Sequence, residues 1–582
     1  MTDRTTIGAL LGLAVVLGAP AAAQDAQQSL QDLREGIEEE REGLAQPAPV
    51  TVPRASITAP AGAEDIELIL AGIALVDREG QPLVDDGRLP LAEARAGYAG
   101  RLGQQMTLAE VYEIARGIEV TLKREGYVFT RVVLPRQDIE AEGATVRIAV
   151  LTSTVESVAI EEPAGPVGGV RALIEQLVSP LNGLENPRIQ DLERASLLVT
   201  DLPGLVRATF VPVAGSAPGL IQLTLNVERE AFNAVGVLAS NDSPVQGPGV
   251  IGGIGFANTW GPFGASTEVS YFNSWSTSDF PDLDERNAVG LTQRFFFGTG
   301  TSVAAAFTYS RTNPGDVLRP LGLEGDQYEG RLTVEHPLLR SRMHSLWFGG
   351  GFEATQSDVD IDAQVATLTD DATRAVFLGA RGAHADPYGG TAWDLSLTYG
   401  FEGLGASGAG VGVSDGGDPN LSNPFYDGDF FVLRGEVRRD QPIRGNVSAR
   451  LRMQGQYAPD ALLSTQTISL GGTRYLKGYE PSEVSGDSGF AVYGELRYDD
   501  SVSAFGRDLG WGVYGFADYG VVFQSDTPGS EAEDRTSAGF GARLRVPNGP
   551  VLELELAQPL DEAAIRTGER DPRINGSLVW FF

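Results

Sequence analysis

Two hydrophobic periodicities divide the chain near residue 230. Before that point apolar residues recur at helical spacing in alternation with strand-like runs. Val111, Ile114, Ile118 and Leu122 fall on one face of a helix predicted over Leu108–Arg124, and Gly126 follows where a left-handed residue ends a helix. Around it the pattern predicts a strand at Ile66–Val76, a helix at Leu89–Leu102, and strands at Val128–Leu134 and Thr145–Leu151 joined through Gly143. A shorter copy follows: a strand at Val155–Glu161, helices at 168–178 and 187–200, and strands at 205–214 and 219–228. Two successive α+β modules, 64–153 and 154–230, are expected.

After residue 230 the helical spacing gives way to alternating segments of about ten residues, separated by Gly, Asp, Asn and Pro. In 510–521, Trp511, Val513, Gly515, Ala517, Tyr519 and Val521 share one face, with Tyr514, Phe516 and Asp518 on the other. In 447–457, Val447, Ala449, Leu451 and Met453 oppose Ser448, Arg450, Arg452 and Gln454. In 551–557, Leu552, Leu554 and Leu556 oppose Glu553 and Glu555. One apolar face and one face with charges of both signs suit hydrocarbon outside and water inside. Residues 231–582 accommodate about 16 such strands at roughly 22 residues each, loops included. The fold class expected is α+β modules followed by a transmembrane antiparallel β-barrel. A soluble β-sandwich also alternates, but it would bury its apolar face. The last segment decides against it: Ile574, Leu578, Trp580 and Phe582 lie on one face of a strand that runs to the final residue.

Ahead of the modules, Arg4, the apolar run Ile7–Leu17 and Pro20-Ala21-Ala22-Ala23 read as a secretory signal over 1–23. The run is too short to span a bilayer as a helix. Residues 24–45 then place Leu30, Leu33, Ile37 and Leu44 on one stripe of an otherwise polar helix, and Pro47, Pro49 and Pro53 mark an extended linker over 46–63.

Charge and composition narrow the chemistry. The chain of 582 residues carries a net charge of −34, which argues against a nucleic-acid partner. It contains no cysteine, so disulfides, thiolate metal sites and cysteine nucleophiles are excluded together. His336, His344 and His384 have no spacing typical of metal ligands. Gly247–Gly252 and Gly403–Gly408 match a dinucleotide fingerprint, yet neither precedes a helix. Gly412-Val413-Ser414-Asp415-Gly416 mimics a nucleophile elbow without the strand-to-helix turn that such chemistry needs. No enzyme, metal or cofactor is expected. Of 44 basic residues, all but Lys123 and Lys477 are arginine.

Lys477 sits in the most distinctive segment, a long loop over 464–489 between barrel-type strands. It reads Leu470-Gly471-Gly472-Thr473-Arg474-Tyr475-Leu476-Lys477-Gly478-Tyr479, then Ser485-Gly486-Asp487-Ser488-Gly489. One strand further on comes Phe516-Ala517-Asp518-Tyr519-Gly520. These motifs resemble the two-partner secretion outer-membrane transporters, the TpsB type, within the POTRA–barrel superfamily of outer-membrane insertases. The family's loop carries Arg-Gly-Tyr or Arg-Gly-Phe and folds back into the lumen, where its cation meets a Phe-x-Asp-x-Gly wall motif. The resemblance therefore implies that Lys477, Gly478 and Tyr479 form a tip engaging Phe516, Asp518 and Gly520. Lys477 departs from the usual Arg: it keeps the charge and loses the two-pronged fork. Gly126, Tyr127, Leu134, Pro135 and Gln137 match the first polypeptide-transport-associated (POTRA) domain of the family, and Asp201-Leu202-Pro203-Gly204 the second. The leader at 24–45 occupies the place of the family's plug helix.

What the resemblance implies is translocation of a large unfolded exoprotein, adhesin-like or haemolysin-like, across the outer membrane of a Gram-negative bacterium. The POTRA domains would lie in the periplasm and recognise a client with a β-helical secretion domain. Trp580 and Phe582 would be the signal read by the barrel assembly machinery, and the barrel wall would face the lipid bilayer. The alternative within the superfamily is an outer-membrane insertase; a passive porin would leave the paired modules without a purpose.

Overall fold

The computed structural model describes residues 57–582 except 244–246, 262, 276–285, 362–365, 505, 526–530 and 548. The expected signal, the leader helix and residues 46–56 of the linker lie outside the described residues. The chain divides into two compact units, 47–230 and, from 231 onward, the C-terminal unit.

In the first unit, β1 (Glu67–Val76) pairs with the short β2 (Gln105–Thr107) on one side. On its other side it runs parallel to β4 (Ala144–Leu151), which in turn pairs with β3 (Arg131–Val133). Helices α1 (Leu91–Ala96) and α2 (Leu108–Arg124) lie between β1 and β3 in sequence. Val111, Ile114, Ile118 and Leu122 are buried in the core with Leu70, Val146 and Ile148. Thr107 begins α2 with a reciprocal capping box: its hydroxyl accepts from the Glu110 N–H while its own N–H donates to the Glu110 carboxylate.

Two expected elements are shorter than their hydrophobic runs. The helix expected over Leu89–Leu102 stops at Ala96 and continues as a 3₁₀ turn at Ala99–Arg101, among glycines 97, 100 and 103. The strand expected from Val128 begins only at Arg131. Tyr127, Val128, Phe129 and Thr130 are all buried, with the Val128 N–H donating to the Gly126 carbonyl and the Thr130 N–H to the Tyr127 carbonyl, so they do not alternate as a ladder requires.

The second module repeats the plan. It comprises β5 (Thr154–Glu161), α3 (Arg171–Val178), α4 (Ile189–Thr200), β6 (Leu205–Ala214) and β7 (Leu220–Arg229). The sheet order β5-β7-β6 leaves β5 and β6 as its edges.

The C-terminal unit is a closed barrel of 16 antiparallel strands. It closes where the last strand, Arg573–Phe581, pairs with the first, Phe232–Ser243, through Ser577 to Phe581 against Ala239 to Val235. Phe582 extends that seam by exchanging two backbone hydrogen bonds with Ala234. Leu451, Met453, Val513, Phe540 and Leu554 point out and are exposed. Tyr514, Phe516, Asp518 and Glu555 point in and are buried. An apolar outer face around a polar interior is the pattern of a lipid-embedded barrel. Trp580 and Phe582 stack in parallel at 5.7 Å, with both rings exposed on the outer face.

Candidate functional site: a loop seated in the barrel lumen

The connection between the strands Val447–Tyr457 and Ser488–Ala504 folds back into the barrel. Ile468–Leu470 and Val484–Gly486 pair antiparallel and carry the tip inward as a finger. Gly471 and Gly472 (φ 129° and 104°) supply the left-handed backbone at its base. Asp487 fixes the root: its side chain accepts from the Leu462 N–H at 2.8 Å and the Ser525 N–H at 2.6 Å, and its carbonyl accepts from the Gln456 amide at 2.9 Å.

At the tip, Lys477 meets Asp518 through its main chain and not through its ammonium. The backbone N–H of Lys477 donates to Asp518 Oδ2 at 3.2 Å. Its ammonium instead forms an ion pair with Glu555. Lys477, Asp518 and Glu555 are 7%, 3% and 7% exposed, so this charge pairing lies out of bulk water. The Lys477 Nζ lies 5.2 Å from the Tyr493 ring and 5.1 Å from the Phe516 ring, within cation–π range of both. Phe516 is thus a wall for the cation. Asp518 also accepts from the Ser537 hydroxyl, which in turn accepts the Gly478 N–H at 3.0 Å. Asp518 and Ser537 together bind the backbone of two successive tip residues.

Lysine keeps the cation of the family's arginine and directs it to one oxygen of Glu555, without the second prong of a guanidinium. Glu555 is further held by the Tyr514 hydroxyl at 2.8 Å, and Tyr514 also bonds Glu553, which Arg543 engages at 3.0 Å.

The two motif glycines make room. A Cβ on Gly478 would lie 2.8 Å from both the Pro559 nitrogen and the Ser537 Cβ. A Cβ on Gly520 would lie 2.7 Å from Leu470 Cδ1 and 3.3 Å from Leu476 Cδ1, so its bare backbone seats the finger's leucines. Leu476 adopts φ 52°, a left-handed conformation unfavourable for a leucine and held here by complete burial. Tyr479 buries its ring and donates its hydroxyl to Asp561 at 2.8 Å. Asn575, on the last strand, donates to the Lys477 carbonyl at 3.3 Å.

Glu555, Ser537, Asp561 and Asn575 were not singled out from the sequence as partners. Alternation over 551–557 turns Glu555 inward, but which inward carboxylate meets a given loop residue depends on barrel closure and the path of the finger. No local pattern encodes that.

In the first unit, the motif around Gly126 and Gln137 builds two joints. Gly126 (φ 97°) ends α2, and its carbonyl accepts from the Ile189 N–H of the second module at 2.9 Å. Arg188 lies over the Tyr127 ring at 4.9 Å. A Cβ on Gly126 would collide with the Gln190 amide, so this glycine serves close packing between the modules as well as the helix end. Leu134 packs on the core, and Pro135 follows the end of β3. The Gln137 side-chain amide then continues the ladder, donating to the Arg147 carbonyl and accepting its N–H, both at 2.8 Å.

The sheet edges of this unit differ in availability. β2 and β3 are three residues each, and the Val132 N–H of β3 is taken by the Glu119 carboxylate at 3.3 Å. β5 is covered by 182–184: the Val155 N–H donates to the Leu184 carbonyl, its carbonyl accepts from Gly183, and the Val158 N–H donates to Asn182. β6 spans 10 residues; outside its pairing with β7, the Leu205 N–H donates to the Leu202 carbonyl at 3.0 Å and the Ala208 carbonyl accepts from the Ser196 hydroxyl at 2.5 Å. Val206, Val211 and Val213 are exposed along it.

Comparison with known proteins agrees with this architecture. Residues 269–546 match the family described as haemolysin secretion/activation protein ShlB/FhaC/HecB, and residues 83–153 match a POTRA domain of the ShlB type. The chain is 22% identical over 520 residues to the heme/hemopexin transporter protein HuxB of Haemophilus influenzae, covering 86% of this chain and 85% of that one. Its structure is similar to CdiB from Escherichia coli, with a TM-score of 0.71 and 19% identity, over 97% of this chain and 99% of that one. It is also similar to BamA from Haemophilus ducreyi lacking POTRA domains 1–3, with a TM-score of 0.50 and 12% identity, over 88% of this chain and all of that one. At these identities the structural likenesses establish the fold.

Proposed function

This chain belongs to the haemolysin secretion/activation family, the outer-membrane transporters of two-partner secretion, and from that premise we propose how its own residues move a client. It translocates a secreted protein across the outer membrane of a Gram-negative bacterium, with its POTRA modules in the periplasm. The family is one of transporters rather than enzymes.

The client arrives as a large, unfolded exoprotein whose β-helical secretion domain supplies extended segments. Such a segment docks on β6, the longer edge that among the described residues has no chain segment laid along it, and adds a strand to the β5-β7-β6 sheet. The chain then threads the lumen, and the tip Lys477-Gly478-Tyr479 leaves its seat on Phe516, Asp518 and Gly520 to clear the path. Folding of the client outside biases the direction.

The observation that carries this reading is the seating of the tip. Its charge, backbone and ring are all satisfied by wall groups through non-covalent contacts that a passing chain can replace. The charges of both signs lining the interior, Arg434, Arg450, Glu495, Arg497, Glu553 and Glu555, offer a polar path without trapping one sign.

The barrel fold shared with BamA admits a second reading, an insertase of barrel proteins. Deleting the gene and cataloguing proteins lost from the medium and from the outer membrane separates the two. Loss of one large exoprotein from the medium supports secretion. Depletion of many barrels supports insertion and overturns the present reading.

A further inference from the structure

The root of the finger is held by a second acid, outside the motifs that identify the family. Asp371 lies on the strand Ala366–Asp386 with its side chain turned inward, 1% exposed. Its two oxygens serve two different segments. Oδ1 accepts the Ser422 N–H at 2.9 Å, from the long connection 401–429. Oδ2 accepts the Ser464 hydroxyl at 3.2 Å, from the residues that lead into the finger.

The two segments also bind each other around this carboxylate. The Ser464 N–H donates to the Ser422 hydroxyl at 2.9 Å, and the Asn423 amide donates to the Leu462 carbonyl at 3.0 Å. Leu421, Tyr426, Leu462 and Leu463 bury one another beside Phe430 and Ala375. Connection 401–429 is anchored to the same strand, where Ser407 and Ala372 exchange hydrogen bonds at 2.8 and 2.9 Å. The finger's root therefore cannot swing without parting from 401–429, and one carboxylate spans that parting line.

We propose that Asp371 is a positioning residue for transport: it clasps connection 401–429 to the root of the finger, so that release of the finger requires opening this clasp as well as the Lys477 seat. The inference rests on the reading that the finger leaves the lumen. A carboxylate is suited to the role because each oxygen can accept from a separate segment. An amide could still accept from the Ser422 N–H and donate to the Ser464 oxygen, so alanine, which removes both oxygens, is the substitution that opens the clasp.

The test uses the full-length protein in planar bilayers and, in parallel, protease digestion of the finger. Asp371→Ala and Ser464→Ala are compared with Lys477→Ala, and heat-dependent gel migration reports an intact barrel. Both clasp variants are expected to raise the frequency of open-channel events several-fold and to speed cleavage between 464 and 487, with the barrel intact. Wild-type conductance and protection in both, while Lys477→Ala opens the channel, overturns the role of Asp371 alone. If Lys477→Ala also changes nothing, the reading of the finger as a movable obstruction fails with it. Opening seen only alongside loss of heat-dependent migration reduces Asp371 to barrel stability and likewise overturns the proposal. Ser464→Ala removes a single hydroxyl, so it keeps the question decidable if Asp371→Ala fails to assemble.

Discussion

Asp518 binds the main chain of Lys477, not its ammonium: the 3.2 Å contact is from the backbone N–H, while the side chain is paired with Glu555. The wall thus holds the tip in two ways that can be separated by mutation. Lys477→Ala abolishes the ion pair and leaves the Asp518 contact in place. Asp518→Ala removes the acceptor for both the Lys477 N–H and the Ser537 hydroxyl.

Lys477→Ala should unseat the tip more than Asp518→Ala. An orphaned buried donor costs about 1–3 kcal/mol. Leaving the enclosed Glu555 carboxylate without its cation costs up to roughly 3–5 kcal/mol. Single-channel recording of the two variants ranks them. A larger opening in Asp518→Ala would show that main-chain binding, rather than charge, governs seating.

Gly478→Ala tests space without touching charge. Its methyl group would sit 2.8 Å from the Pro559 nitrogen and the Ser537 Cβ, and one of these is backbone that cannot yield. The finger should lose protection from protease, with Lys477 and Asp518 both present. Full protection in this variant would mean the tip packs more loosely than described.

The client edge makes a third prediction. Val211→Pro on β6 places a second proline beside Pro212, and Val213→Lys adds a charge to the same edge. Val213→Lys, the milder change, should lower exoprotein in the culture medium by about tenfold or more while the barrel reaches the membrane in normal amount. Undiminished secretion would remove β6 from the pathway. A matching change on β5, already covered by 182–184, should have little effect.

In the periplasmic unit the Thr107 N–H, and after it the Arg101 guanidinium, hold the Glu110 carboxyl below the usual glutamate range. A depressed carboxylate contributes stability above its unfolded pKa, and that contribution is lost as pH falls through the lower folded value. The first turn of α2 should loosen below roughly pH 4. Amide exchange at Val111 and Tyr112, referenced to Glu110→Gln at each pH, reads this out. Identical pH profiles for the two proteins would contradict the cap's contribution.

Much of this was legible in the chain because barrels and amphipathic helices write their faces locally. Alternation turned Phe516, Asp518 and Glu555 inward, and the spacing of Val111 to Leu122 set α2. The pairing of Lys477 was not legible in the same way. It depends on where the finger enters and which strand the curved wall brings alongside, a relation across 78 residues. The use of lysine is intelligible afterwards: both lysines of the chain, Lys123 against Glu119 at 2.7 Å and Lys477 against Glu555, sit in largely enclosed pairs with a glutamate. Val128–Thr130 shows the opposite failure, a hydrophobic run buried on all sides that periodicity alone reads as a strand.

The central claim is that the client passes through the lumen that the finger occupies. Because the chain has no cysteine, Arg474→Cys with Glu436→Cys introduces a unique pair that a reducible bis-methanethiosulfonate or a short bismaleimide can bridge, tying finger to wall in place of an ion pair they already form. With the bridge closed, exoprotein should disappear from the medium and accumulate in the periplasm, and reducing the methanethiosulfonate-derived bridge should restore export. Export at the uncrosslinked rate with the bridge demonstrably closed would contradict the account.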